Sequence, residues 1–215
     1  MKIFFAILLA SQLIISGCQS AYYSAMEKVG YQKRDILTSR VKNAQESQEK
    51  AKQEITSVLD EFGKVVSYQS GDLEAQYKKM AGKLEDAEDA AANVRRHIRD
   101  VQNVGEALFS EWKDELPQYS SAGLRAKSER QMRATRVRYD EMVAAMKRAE
   151  GRLEPALKPM RDQVLFLKHN LNAHAITVIK GEVGKVDAQV TQLINELNRS
   201  IAEADKFIKN FENAE

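Results

Sequence analysis

The residue with the clearest chemical potential is the single cysteine, Cys18, which directly follows an apolar N-terminal stretch. Residues 1–2 give a short positive start, residues 3–15 are largely apolar, and residues 16–17 are small. A membrane-spanning helix needs about 20 apolar residues, so this shorter stretch is typical of a cleaved export signal. Small residues before Cys18 let the backbone enter a peptidase cleft, and a thiolate is the nucleophile that lipid transfer requires. The pattern predicts export followed by lipid attachment at Cys18.

Residues 13–18, Leu-Ile-Ile-Ser-Gly-Cys, resemble the lipobox of bacterial lipoproteins. The resemblance implies that Cys18 receives a diacylglyceryl group, that residues 1–17 are removed as a signal peptide, and that a fatty acid such as palmitate acylates the new amino terminus. Residues 18–21 would then form the lipid-anchored start and a short tether. In such proteins an Asp after the cysteine favours retention in the inner membrane, so Gln19 implies an outer-membrane location facing the periplasm.

The alternative for Cys18 is an ordinary secreted protein whose cysteine lies near the cleavage site by chance. A single thiol cannot form an internal disulfide and would be a liability in an oxidising compartment. The odd cysteine count therefore favours the lipid anchor.

A second set of chemically capable side chains lies in the apolar segment 167–176, which holds His169, Asn170, Asn172 and His174. On a continuous helix the two histidines point about 140° apart, which argues against a shared metal ion. Asn170 and His174 would lie on one face, and polar side chains in a helical seam can fix its register. The segment predicts a buried polar layer, with a docking spot for a partner as the alternative.

A third candidate is a run of basic residues with one acid, Glu129, among them. The run consists of Arg125, Lys127, Arg130, Arg133, Arg136 and Arg138. The favoured interpretation is a solvated face whose positive charges are balanced by acids of neighbouring helices, such as Glu111, Asp114 and Glu115. The alternative is a face that docks an anionic partner, such as an envelope polymer or a lipid headgroup.

Composition argues against several functional classes. The chain has 33 basic and 31 acidic residues, and nucleic-acid binding normally needs a marked basic surplus. The sequence contains no Gly-rich phosphate loop, nucleophile elbow or metal-spaced His/Glu pair. We therefore expect no enzyme activity, no metal, no cofactor, no small-molecule substrate and no nucleic-acid partner.

Apolar residues recur at helical spacing along almost all of residues 22–215. A seam over residues 37–65 has one polar member, Gln48, and a seam over residues 73–112 has one exception, Gly105. Such sustained heptads are typical of coiled coils and elongated bundles. The pattern predicts an all-α protein, an elongated antiparallel helical bundle with coiled-coil-like packing and about four long helices.

Breaks in this pattern are few. Residues 67–72 and 117–123 contain turn-forming residues and predict two reversals. A single helix over the remaining chain would be about twice as long as the others, so a third reversal is expected. Its position stays open between residues 151–159, with Pro155 and Pro159, and residues 181–184, with two glycines.

The segments 167–173, Leu-Lys-His-Asn-Leu-Asn-Ala, and 109–112, Phe-Ser-Glu-Trp, resemble an uncharacterised family of helical bacterial lipoproteins, a domain of unknown function. The resemblance implies an all-helical envelope protein and no particular activity. Together with the lipobox it leads to one prediction: a lipid-anchored, non-catalytic module of the bacterial envelope, structural or partner-binding. Its partners would be a second copy or an envelope protein; the alternative is a binding protein for an anionic envelope ligand.

Overall fold

The computed structural model describes residues 32–67 and 72–213, which form four long helices and no strand within those ranges. The helices are α1 (Lys33–Val66), α2 (Leu73–Glu115), α3 (Ala122–His169) and α4 (Ala173–Glu212), with a short 3-10 turn, Leu116–Gln118, after α2. The predicted helical start near residue 22, the signal peptide 1–17 and the tether 18–21 lie outside the described residues.

The four helices alternate in direction and form a ring. Each helix contacts the next one in the chain, and α1 also contacts α4. The predicted all-α antiparallel bundle is therefore confirmed. One end, named the base, holds the start of α1, the α2–α3 connection and the end of α4. The other end, named the tip, holds the end of α1, the start of α2 and the α3–α4 reversal. With 48 residues α3 is about 72 Å long, which gives the bundle its elongated shape.

The core follows the predicted heptad seams. Every member of the first seam is buried, from Leu37 to Val65, and so is the polar member Gln48. Gly105, the exception in the second seam, is also buried. Apolar side chains of all four helices form one continuous cluster along the bundle. Burial of this surface is the main favourable contribution to folding.

Position 105 requires a glycine because the ring of Tyr139 occupies the space that a side chain would need. A Cβ atom on Gly105 would fall well inside van der Waals contact with the ring of Tyr139. That ring packs edge-on against Phe109, with 5.3 Å between centroids, and its hydroxyl donates to the carbonyl of Val101 at 3.3 Å. The close approach of α2 and α3 near the base thus depends on one missing side chain.

The third reversal falls at residues 170–172, so both positions left open by the sequence are wrong. Asn172 is the N-cap of α4, and its side chain accepts a hydrogen bond from the backbone N–H of Ala175 at 3.0 Å. Asparagine is favoured there because its side chain satisfies an N–H that has no helical partner.

Both prolines lie inside α3. Pro155 is exposed and Pro159 is half-buried, and the carbonyls deprived of donors belong to residues 151 and 155, which are both exposed. Water can satisfy these carbonyls, so the helix continues through both prolines.

A buried carboxylate links α1 to α2 near the tip. Glu61 is 5% exposed, and its Oε1 atom lies 2.7 Å from Lys64 Nζ and 3.1 Å from Lys79 Nζ. The hydrogen bond from Lys64 is the largest effect on the pKa of Glu61 and lowers it below the ordinary value of 4.5. Burial raises this pKa, and the hydrogen bond from Lys79 lowers it further, so the net shift is downward.

This lowered pKa predicts a loss of stability in acid. A carboxyl with a lower pKa in the folded state stabilises the fold above the unfolded-state pKa, and this contribution is lost as pH falls through the folded-state pKa. We expect the free energy of unfolding to decrease below about pH 4.5, and Glu61→Gln to remove part of that decrease. Urea unfolding at pH 7 and in acid measures this decrease in the free energy of unfolding. Glu74→Gln, which removes an exposed ion pair with Lys78, is the control. An unchanged acid dependence in Glu61→Gln would contradict the assignment.

Candidate functional site

The described residues offer surfaces rather than an obvious chemical centre. Within residues 32–67 and 72–213, no group of three or more His, Cys, Asp or Glu side chains is placed to hold a metal ion. Over the same ranges, no helix is both long enough and apolar enough to cross a membrane. Cys18 lies outside the described residues, and the remaining predicted site residues lie at the tip and near the base.

The predicted polar layer is wrong, because its four residues flank the reversal at the tip. His169 and His174 are exposed side chains on two different helices. Asn172 caps α4, and the side-chain amide of Asn170 donates to the carbonyl of Phe166 at 2.9 Å. The two asparagines therefore build the turn itself. The alternative, a docking spot at this place, stays a prediction.

The buried polar residues of the core lie elsewhere. Gln48 is fully buried, and among the described residues neither atom of its amide has a hydrogen-bond partner. Ser200 on α4 is likewise fully buried, and its hydroxyl has no partner in the described part of the chain. One turn before Gln48, Gln45 donates to the carbonyl of Ile201 at 3.1 Å, which places Gln48 and Ser200 at a similar level of the bundle. The polar member of the first seam was the sequence signal for this layer.

The basic run lies on α3 but does not form one face. Eleven residues make about three full helical turns, so Arg125 and Arg136 project from one side and Lys127 and Arg138 from another. The buried stripe of α3, which includes Tyr139, lies between these two sides. The single basic face predicted from the sequence is therefore wrong: the cations surround the exposed part of the helix.

Two of these cations have defined partners. Arg133 pairs with Glu129 on its own helix at 2.8 Å. Arg136 pairs with Glu106 of α2 at 2.9 Å and with Asp140 at 2.9 Å. Its guanidinium also lies over the ring of Phe109, 5.1 Å from the centroid. Arg136 thus joins α2 to α3 and is part of the packing rather than a free docking group.

The other four cations, Arg125, Lys127, Arg130 and Arg138, are exposed and form no ion pair with any part of the chain that the structure describes. Glu111, one of the three acids predicted to balance the charge of the basic run, instead pairs with Lys33 of α1 at 2.7 Å.

Exposed apolar side chains accompany the cations at the base. Tyr119, in the α2–α3 connection, is 42% exposed, and Leu124, in the first turn of α3, is 58% exposed. The first turn of α3 contains no acid, although acids are favoured at that end of a helix. We name the basal surface as Tyr119, Leu124, Arg125, Lys127 and Arg130. The two apolar members of this surface were not predicted from the sequence, although Leu124 directly precedes the first cation.

Comparison with known proteins places this bundle in a family. Residues 22–211 match a family model described as a protein of unknown function, DUF2959. The chain belongs to this family. The resemblance drawn from the sequence motifs is confirmed as far as an uncharacterised family is concerned. No curated protein and no solved structure matches the DUF2959 chain.

The two motifs that carry the resemblance take different roles in the DUF2959 fold. Residues 167–173 form the reversal at the tip. In residues 109–112, Phe109 packs on Tyr139, and the indole N–H of Trp112 donates to the hydroxyl of Ser128 at 2.9 Å. One motif therefore shapes the tip, and the other joins α2 to α3 at the base.

Proposed function

We propose that this DUF2959 protein is a lipid-anchored, non-catalytic module of the bacterial envelope, held by Cys18 at the periplasmic side of the outer membrane. The observation that carries the proposal is the lipobox-like segment 13–18 placed ahead of a helical bundle. A single cysteine at the end of an export signal can accept a lipid, and the chain has no second cysteine with which it could form an internal disulfide. The bundle then serves as a structural or partner-binding body.

The tip is the surface that best suits a protein partner in this proposal. Leu165, Leu171 and Val178 are 57%, 39% and 40% exposed around the reversal. His169 and His174 are exposed beside them, and neither is used to build the turn. Exposed apolar side chains rimmed by polar ones are typical of interaction sites. We expect this partner to be a second copy of the chain or another envelope protein, and cross-linking from the tip distinguishes the two.

The proposal predicts that Cys18→Ser abolishes acylation. In cells fed an alkyne-bearing palmitate analogue, the parent protein should incorporate the label and Cys18→Ser should not, because serine has no thiol to receive the diacylglyceryl group. Ser20→Ala is the matched control: it changes a residue of the tether, leaves segment 13–18 intact and should be labelled like the parent. Equal labelling of Cys18→Ser would refute the anchor.

A further inference from the structure

The start of α1 is fixed to the base on two sides. Lys33 pairs with Glu111 of α2 at 2.7 Å. Arg34 donates a hydrogen bond to the backbone carbonyl of Phe211 on α4, and its guanidinium lies 4.5 Å from the centroid of the Phe211 ring. The first described residue, Gln32, therefore lies at the base.

The length of chain before Gln32 limits where an anchored Cys18 can lie. The two residues are 14 positions apart, and an extended chain covers at most about 3.5 Å per residue, so their separation is below about 50 Å. The bundle is about 72 Å long, as given by α3. Cys18 can therefore lie at the level of the base, whereas the chain before Gln32 is too short for it to reach the tip.

The basal surface has the composition of a membrane-contacting surface. Arg125, Lys127 and Arg130 are exposed and lack ion-pair partners among the described residues, and Tyr119 and Leu124 are exposed beside them. Tyrosine prefers the level of the lipid headgroups, and basic side chains are attracted to anionic lipids. Asp114 and Glu115 end α2 near the same connection and oppose this attraction, whereas Lys113 adds to it.

We propose that the basal surface rests on anionic lipid headgroups, so that the bundle stands on the membrane with its tip pointing away. Phosphate groups of the lipids would pair with Arg125, Lys127 and Arg130, and Leu124 would enter the headgroup layer. The inference rests on the proposed lipid anchor, which supplies the attachment, while the basal surface supplies the orientation. It also places the motif 167–173 at the point farthest from the membrane.

The test measures which end of the protein meets the lipid. The full mature, acylated protein is reconstituted into phosphatidylglycerol vesicles that contain a headgroup nitroxide quencher. A fluorophore is attached to Leu124→Cys at the base or, as a matched control, to Leu171→Cys at the tip; the thiol of Cys18 is blocked by its lipid. We expect quenching at position 124 and none at position 171. Equal quenching at both positions would overturn the proposal.

Charge is tested in the same assay. Reversal of all three basal cations, Arg125→Glu, Lys127→Glu and Arg130→Glu, should abolish the quenching at position 124, as should replacement of phosphatidylglycerol by phosphatidylcholine. The control variant reverses three exposed lysines away from the base, Lys158, Lys168 and Lys180, and should keep the quenching. Far-UV circular dichroism confirms that each variant is helical. Quenching that persists in the basal variant or in phosphatidylcholine would overturn the role of the cations.

Flotation of the vesicles separates this inference from the anchor on which it rests. Protein that floats with the vesicles but shows equal quenching at both ends keeps the anchor and overturns the basal surface. Parent protein that carries no acyl group and does not float refutes the anchor, and the inference falls with it.

Discussion

Gly105→Ala is expected to lower the free energy of unfolding by about 1–3 kcal/mol, although alanine is a better helix former than glycine. The new methyl group would overlap the ring of Tyr139, which is held by Phe109 and by the carbonyl of Val101. A ring so enclosed cannot move away without disturbing its neighbours, so α2 and α3 must separate. Chemical unfolding of the mature chain, followed by far-UV circular dichroism, measures the effect.

The matched control lies on the same helix. Gly82 is exposed, and an added Cβ would meet no described atom within 4 Å. Gly82→Ala should therefore stabilise the protein by about 0.5–1 kcal/mol through helix propensity alone. In a double-mutant cycle, Gly105→Ala should cost much less when Tyr139 is already leucine. If Gly105→Ala stabilised the protein as Gly82→Ala does, the close packing of Gly105 against Tyr139 would be disproved.

Gln48→Met is expected to raise the free energy of unfolding by about 1–3 kcal/mol. Gln48 is fully buried, and neither amide atom has a partner among the described residues, so the fold bears the cost of removing both from water. Methionine has a similar length and shape and no amide, so it should fill the same space without that cost. The shift in the urea midpoint measures the gain.

A neighbouring glutamine gives the control. Gln45 donates to the carbonyl of Ile201 at 3.1 Å and to Asp205 Oδ1 at 2.8 Å. Gln45→Met removes both hydrogen bonds from a partly exposed site and should lower stability slightly. If both variants lost stability equally, Gln48 would have a partner of its own in solution, and the unpaired layer with Ser200 would be refuted.

If Gln48→Met proves more stable, the reason for a glutamine at this position lies in specificity rather than stability. A polar side chain in a helical seam disfavours registers that would bury it among more apolar neighbours. Gln48 lies at a similar level of the bundle to Ser200 on α4, which is consistent with a single preferred register of α1 against α4. The expected effects at Gly105 and Gln48 would mean that both exceptions to the heptad pattern carry structural information.

The helices and the core follow from periodicity alone. The seam from Leu37 to Val65 is buried along its whole length, because an apolar stripe that repeats at helical spacing has to face other helices. Two of the three reversals were also readable from Gly, Pro and Ser clusters, since these residues favour turns.

The third reversal was not readable in the same way. Pro155 and Pro159 marked one of the two positions that the sequence leaves open, but they lie where water can satisfy the freed carbonyls, so α3 continues. The actual reversal depends on side-chain hydrogen bonds of Asn170 and Asn172 over two helix ends. A short Asn-Leu-Asn segment is a weaker signal than proline, and its role depends on which helices must meet at the tip.

The candidate surfaces were only partly accessible from sequence. The sequence identifies the cations of the basic run, but it does not show which of them pair with other residues and which are exposed without an ion pair. That difference depends on the neighbouring helix, because Arg136 contacts Glu106 and Phe109 of α2. Nor could the sequence show that Gln32 lies at the end of the bundle that carries Leu124. That placement depends on the antiparallel ring of helices and on the contacts of Lys33 and Arg34.

The mass of the N-terminal peptide shows whether Cys18 carries a lipid. The protein is extracted with detergent from membranes of cells that express the full chain, digested and examined by mass spectrometry. A lipid anchor at Cys18 predicts an N-terminal peptide that begins at Cys18 and carries the mass of a diacylglyceryl group with an acylated amino terminus. A peptide that begins at Met1 or at any residue other than Cys18, or a peptide in which Cys18 is unmodified, would contradict the lipid anchor.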